Sequence, residues 1–273
     1  MGFSIWPEGW PAPNYENPST KGSPALFIVM LVITTAVVLL RIYSRCYLTK
    51  SYGMDDWFLL AGFVQILSIG QTYAEIKALT TWGWNKHLWD VPFDRLEYVR
   101  LAAWLVEFFF LLGNACTKIS ILLVYRKISS GSHNYWFIRL TWAAIAFTVI
   151  YTVALGLELM LICRPINSYW KSYNPAYTGK FTCGNEHIPI VFSAAASVTS
   201  DIYSSILPML LTSKLKLTSK QRLSLCALFS AGLVTAAIGI ARMALLVKVT
   251  TNYKPGPHTA DVTWYGWPTF DPE

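Results

Sequence analysis

The sequence predicts an all-α fold, a polytopic transmembrane helical bundle, and three observations carry that prediction. Six long apolar runs divide the 273-residue chain, near 24–40, 57–73, 101–125, 136–163, 188–211 and 223–247. The chain is 54% hydrophobic and only 14% charged, against about 25% charged in ordinary soluble domains. The Lys, Arg, Pro and Asn residues gather in the short segments between the runs. Each run approaches the roughly 20 residues a helix needs to cross a bilayer, and several are apolar on every face, whereas a soluble surface helix keeps a polar stripe. Three parts follow: an outer N-terminal segment over 1–23, a membrane bundle over 24–250 and a polar, aromatic tail over 251–273.

Residues 1–23 carry Trp, Pro and Glu but no basic start ahead of an apolar stretch, so the first run is expected to act as the signal anchor. Asn17-Pro18-Ser19 is no glycosylation site because of its proline. The first run ends at Arg41 and Arg45. The second opens after Asp55-Asp56 and leads to an outer loop holding Trp82, Trp84, His87, Trp89 and Asp90. On the third, Glu107, Asn114 and Lys118 fall on one helical face. The fourth carries Glu158 and ends at Cys163. The fifth holds Asp201 midway and Pro208 seven residues later, where a kink is expected, since membrane helices tolerate proline. The sixth includes Arg242 near one end.

Basic residues set the orientation. Arg41, Arg45, Lys50, Arg126, Lys127, Arg139, Lys214, Lys216, Lys220 and Arg222 crowd three short loops, while the other Lys and Arg residues spread over longer ones. The dense side belongs in the cytoplasm, and the N-terminus then lies outside. The net charge of +7 fits topology control and contact with anionic lipid. No basic stripe lies on a soluble face, so nucleic acid is not an expected partner. Trp6, Trp10, Trp136, Trp170, Trp264 and Trp267 near the run ends read as an interfacial aromatic belt. Trp84, His87, Trp89 and Asp90 could also rim an outer ligand vestibule.

Of the five cysteines, Cys163 and Cys183 fall on the outer side, where disulfides persist. A bridge between them is expected, with two free thiols as the alternative; Cys116 lies at the wrong depth to compete. Cys46 reads either as a palmitoylation site or as a lipid-facing residue. His87, His133, His187 and His258 are scattered over different loops, so no metal site and no cofactor is expected.

A charge at membrane depth costs about 3 kcal/mol or more, and such residues turn inward or mark a pathway. Lys118 and Asp201 could pair if their helices are neighbours. The pair would either fix helix register or act as a switch, and a buried pair alone is weak grounds for function.

Several segments, taken in order, resemble the fungal-specific rhodopsin-like integral membrane family. They are Arg41-Ile42-Tyr43-Ser44-Arg45, Asp55-Asp56-Trp57, Gly83 with Lys86-His87-Leu88-Trp89-Asp90-Val91, Lys118 through Arg126, Cys163-Arg164-Pro165 with Tyr169-Trp170, Cys183, Asp201 with Leu207-Pro208, Gln221-Arg222 and Arg242. The resemblance spans about 24–250 and implies a seven-helix rhodopsin-like architecture, of which six helices are predicted here. Residues 251–273 then read as a truncated loop leading to a missing seventh. Asn85 stands where the family's outer loop has a second glycine. Members are described as receptor-like, which implies a multi-pass protein at the plasma membrane, in preference to the endoplasmic reticulum, that senses a small molecule or surface cue. Its partners would be the lipid bilayer, a small lipophilic ligand and a cytosolic signalling protein meeting Lys214, Lys216, Lys220 and Arg222. The word rhodopsin does not bring retinal with it. Its linkage needs a core Lys, and the one candidate, Lys118, has an acidic partner at hand.

The alternative is an enzyme, or an accessory factor, of lipophilic terpenoid biosynthesis. Acid-initiated cyclisation needs a carboxylic acid kept neutral in an apolar site, for which Asp201, Glu158 and Glu107 are the candidates. A non-enzymatic role is the preferred expectation. A transporter fits less well, since no inverted repeat or paired broken helices are evident.

Overall fold

A computed structural model describes residues 14, 16, 20, 23–43, 55–87, 90–129, 135–172, 177–184, 187–214, 230, 232–241, 243 and 244. The elements are helix α1 (Pro24–Tyr43), α2 (Asp55–Lys77), α3 (Phe93–Ser129), α4 (Tyr135–Leu161), strand β1 (Cys163–Arg164), the short α5 (Ser168–Lys171), strand β2 (Thr182–Cys183) and α6 (His187–Lys214). A further helix, α7 (Gly232–Ala241), follows. The fold divides into two units. One takes in residues 1–110, 159–184 and 248–273, and the other 111–158 and 185–247.

In the first unit, Ser23 and Pro24 start α1. The Ser23 hydroxyl accepts the Ala25 N–H at 3.3 Å, and Pro24 sits where a missing N–H costs nothing. Gln65 Nε2 of α2 donates to Thr35 Oγ1 of α1 at 2.7 Å, a polar tie of the sort that joins helices in lipid. Beyond Lys77 the chain makes one π-helical turn, Ala78–Trp82, capped by Gly83 at φ 84°. That left-handed conformation suits a residue without Cβ. It lets the Trp84 N–H donate back to the Ala78 carbonyl at 2.9 Å, and Trp82 then stacks on Tyr98 of α3 at 5.9 Å. Trp104 of α3 donates from Nε1 to the Leu159 carbonyl at 3.1 Å and meets Trp170 edge-on at 5.9 Å. The Arg100 guanidinium lies 4.4 Å above the Tyr169 ring.

Two sequence expectations shift here. The sequence extends the fourth helix to Cys163, but α4 ends at Leu161 and Cys163 is in strand β1. The reason is the disulfide: Cys163 pairs in register with Cys183 across a two-residue antiparallel ladder, and the bridge joins those same two residues. The third helix begins at Phe93, ahead of the apolar run. Its 37 residues extend about 55 Å at 1.5 Å each, well beyond a hydrocarbon core of about 30 Å.

In the second unit, α4 buries Phe137, Thr141, Ala144, Ile145, Thr148, Tyr151 and Leu155, the three-and-four spacing of one helix face. Leu122, Phe137, Ala144 and Ile145 form one cluster. Leu111, Tyr151, Leu155 and Ala196 form another. The α6 helix continues through Pro208.

Large aliphatic side chains lie outside the packing as well as within it, where Leu122 and Val91 are fully buried. Thr141, Thr148, Ser168 and Ser200 are fully buried, while Val32, Ile66 and Ile150 are 61%, 66% and 67% exposed. Buried hydroxyls between helices together with many large aliphatics left outside fit helix packing in lipid, because apolar side chains gain nothing by leaving hydrocarbon. A soluble monomer rarely shows apolar surface on that scale. Among the described residues, the segments 94–123 of α3 and 135–161 of α4 are long and apolar enough to cross a bilayer by length and composition, and the apolar parts of α1 and α7 are shorter.

Candidate functional site

The second unit's buried polar atoms converge on Lys118. Its position on α3 points the side chain inward, and the residue is 5% exposed. Its Nζ lies 2.8 Å from Asp201 Oδ1 on α6. It also donates to the Ser200 hydroxyl and, at 3.4 Å, to the Ser197 carbonyl. An ammonium has three protons, and here each has an acceptor. The Ser200 hydroxyl donates in turn to the Ser197 carbonyl at 2.7 Å, and the Tyr151 hydroxyl of α4 donates to Ser200 Oγ at 3.5 Å. One turn along α6, Tyr203 hydrogen-bonds the Thr148 hydroxyl of α4. Thr148 donates to the Ala144 carbonyl at 2.9 Å.

Helical spacing explains the assembly. Ser197, Ser200, Asp201 and Ser204 recur at three and four residues along α6, as do Thr141, Thr148 and Tyr151 over two turns or more of α4. Ser204 and Ser205 return their hydroxyls to the Asp201 carbonyl at 3.0 and 2.7 Å. Gly239 of α7 lets that helix come close: a Cβ there would stand 3.2 Å from Val198 Cγ2 and 3.7 Å from Asp201 Oδ2. Chemically, this is a closed charge pair wrapped in hydroxyls. An acid catalyst needs a lone carboxylic acid facing an apolar cavity, whereas Asp201 faces an ammonium.

The sequence singled out Lys118 and Asp201 but passed over Ser200, Tyr151, Tyr203 and Thr148. Uncharged hydroxyls in an apolar run read as ordinary filler, and only their register with Asp201 distinguishes them. Glu107 on α3 and Glu158 on α4 are half-buried.

In the first unit, Trp84 and His87 are half-buried and Asp90 is buried. Asp90 Oδ1 accepts the Asn14 N–H at 2.8 Å, and Thr20 forms an antiparallel bridge with Lys86. The N-terminal segment is thus fastened to this loop at two points. Trp89 lies outside the described residues, as do Lys216, Lys220, Arg222, Arg242, Cys46 and Cys226; Lys214 is the last residue of α6. Cys116 is a free thiol. Among the described residues, no group of three or more His, Cys, Asp or Glu side chains is placed to hold a metal.

Helical architecture, outward-facing aliphatic surface and an internal charge pair define an all-α integral membrane protein. The chain belongs to the Fungal rhodopsin domain family, which matches residues 40–269. It is similar to "Fugralins biosynthesis cluster protein 2" of Gibberella zeae, 25% identical over 86% of this chain and 58% of that one. "Receptor GIN3" of Arthrobotrys oligospora is 25% identical over 76% of this chain and 48% of that one. A "SAT4 family membrane protein" of Emericella nidulans is 26% identical over 51% and 35%. The chain therefore spans about half the length, or less, of the curated relatives it matches. No solved structure matches.

Proposed function

We propose that this chain is the membrane portion of a receptor-like protein that senses a small lipophilic molecule or a surface cue. The observation that carries the reading is the family match over residues 40–269, and the element we assign to the switch is the Lys118–Asp201 pair. It joins α3 to α6 through groups that are expensive to separate in a low-dielectric interior and that have only a few discrete ways to be satisfied. In this reading the pair exchanges between two such arrangements rather than along a continuum, which is what a switch requires. The similarity to a protein named as a receptor supports the same class. The enzyme alternative is not favoured, because Asp201 lacks the isolated apolar setting that acid catalysis needs.

In this reading the N-terminus is outside and the plasma membrane is the site of action. Residues 24–250 form the bundle. The cue reaches the outer loop at Trp84, His87, Trp89 and Asp90. Helix movement is passed to a cytosolic partner at Lys214, Lys216, Lys220 and Arg222. The test is proximity labelling from a tag in the 214–222 loop, in cells exposed to a panel of lipophilic compounds and hydrophobic surfaces. A labelled cytosolic partner that changes with one cue, and that the charge-free double substitution Lys118→Met/Asp201→Asn makes insensitive to it, is the expected result. Labelling that is the same under every cue overturns the proposal.

A further inference from the structure

The Lys118 network leaves a second cationic feature unused, where α3 ends and α4 begins in the second unit. The Arg126 guanidinium of α3 lies 4.8 Å over the Trp142 ring of α4. Arg139 stands three residues before Trp142, one helical turn away on the same side of α4. Both arginines are exposed, and among the described residues no carboxylate is paired with either.

The ring settles how Arg126 is presented. Stacking occupies one face of the planar guanidinium and leaves its edge donors directed outward. An edge of that kind matches two oxygens of one phosphate. Below the two cations, Trp142, Val149 and Val153 continue the same stripe of α4 and are 49%, 43% and 54% exposed. The opposite face, from Phe137 to Leu155, is the buried one. From Trp142 to Val153 the stripe runs about 16 Å along the axis, close to the ~15 Å depth of one leaflet's hydrocarbon.

The geometry points to a binding site for an anionic glycerophospholipid: Arg126 and Arg139 hold the headgroup phosphate, Trp142 sits at the glycerol level, and an acyl chain lies along Val149 and Val153. A zwitterionic lipid offers the same phosphate but brings its own cation, which competes with the guanidinium edge. A soluble anion offers the phosphate without the chain that the stripe accommodates. The site is independent of the receptor reading, since it needs only a bilayer at this depth.

The test uses the full chain in detergent, delipidated and then titrated with phosphatidic acid, phosphatidylcholine or inorganic phosphate, with bound lipid counted by native mass spectrometry. One phosphatidic acid is expected to stay bound, in preference to phosphatidylcholine, and millimolar inorganic phosphate should not displace it. Each guanidinium near an anionic surface contributes a factor of roughly five, so R126Q/R139Q should weaken retention about 25-fold. Loss of one charge at exposed Arg164, by R164Q, should change nothing. A photoactivatable phosphatidic acid added to the unaltered protein should cross-link within 139–153, which keeps the test informative if the double variant fails to fold. Equal retention by wild type and R126Q/R139Q, equal binding of phosphatidylcholine, displacement by inorganic phosphate, or cross-links elsewhere would each overturn the assignment.

Discussion

Removing one partner of the Lys118–Asp201 pair should cost far more than removing both. With Asp201→Asn, the Lys118 ammonium keeps Ser200 and Ser197 as acceptors but loses its counter-charge. With Lys118→Met, the carboxylate loses its only ammonium among the described residues. The two side chains are 6% and 16% exposed, so water does little to rescue the survivor. Stranding a buried charge in this way costs about 3–5 kcal/mol. Neutral hydrogen bonds between membrane helices are worth much less, about 0.6 kcal/mol on average and at most about 1.7. Each single substitution should therefore lower the unfolding midpoint by roughly 6–20 °C, at about 2–4 °C per kcal/mol for a chain of this size. The double substitution Lys118→Met/Asp201→Asn removes both charges and should recover to within a few degrees of wild type. The assay is thermal unfolding in one detergent, run as a complete double-mutant cycle. Two single substitutions whose losses are each below about 1 kcal/mol and simply add in the double would show that the pair is not a buried charge interaction, and the reasoning would fail.

Three further outcomes follow from other parts of the fold. Cys163→Ser/Cys183→Ser opens a bridge across a sequence separation of 20 and should cost about 3 kcal/mol in the chain-entropy model, read as a lower midpoint in wild type plus reductant but no change on adding reductant to the variant. Gly83→Ala places a Cβ at φ 84° and should cost about 1–2 kcal/mol, whereas Gly83→Asn, which tolerates the left-handed region, should cost less; equal midpoints for the two would be contrary. Asp90→Ala removes the acceptor of the Asn14 N–H, so hydrogen exchange at that amide should quicken about tenfold, in line with roughly 1.4 kcal/mol for a lost bond to a carboxylate.

Hydropathy showed the helices because their surroundings are oil, yet it marks bilayer depth and not where backbone hydrogen bonding stops. That is why Asp94, Arg95, Glu97 and Arg100 lie within α3 while the apolar run begins after them. The same limit put Cys163 in a helix that ends two residues earlier, since the ladder with Cys183 depends on a partner twenty residues away. The two charges of the internal pair stood out because a charge in an apolar run is rare. Their hydroxyl companions did not: Ser200, Tyr151 and Tyr203 belong to residue types common in any membrane helix, and their role appears only when three helices are placed together. The hold of Asp90 on Asn14 likewise joins residues 76 apart, and no local pattern announces it. The Arg126–Trp142 contact was not readable either, since the sequence marks Arg126 as one of a basic cluster and gives Trp142, inside an apolar run, no distinguishing mark.

The claim beneath all of this is that the exposed aliphatic face of α4 is wetted by hydrocarbon. A spin label at Ile150→Cys, which replaces a side chain 67% exposed midway along α4, tests it most directly in reconstituted bilayers. Rapid relaxation by oxygen with little effect of a water-soluble nickel chelate is the predicted result. Ready access of the chelate, with oxygen no more effective than at an aqueous site, would contradict it.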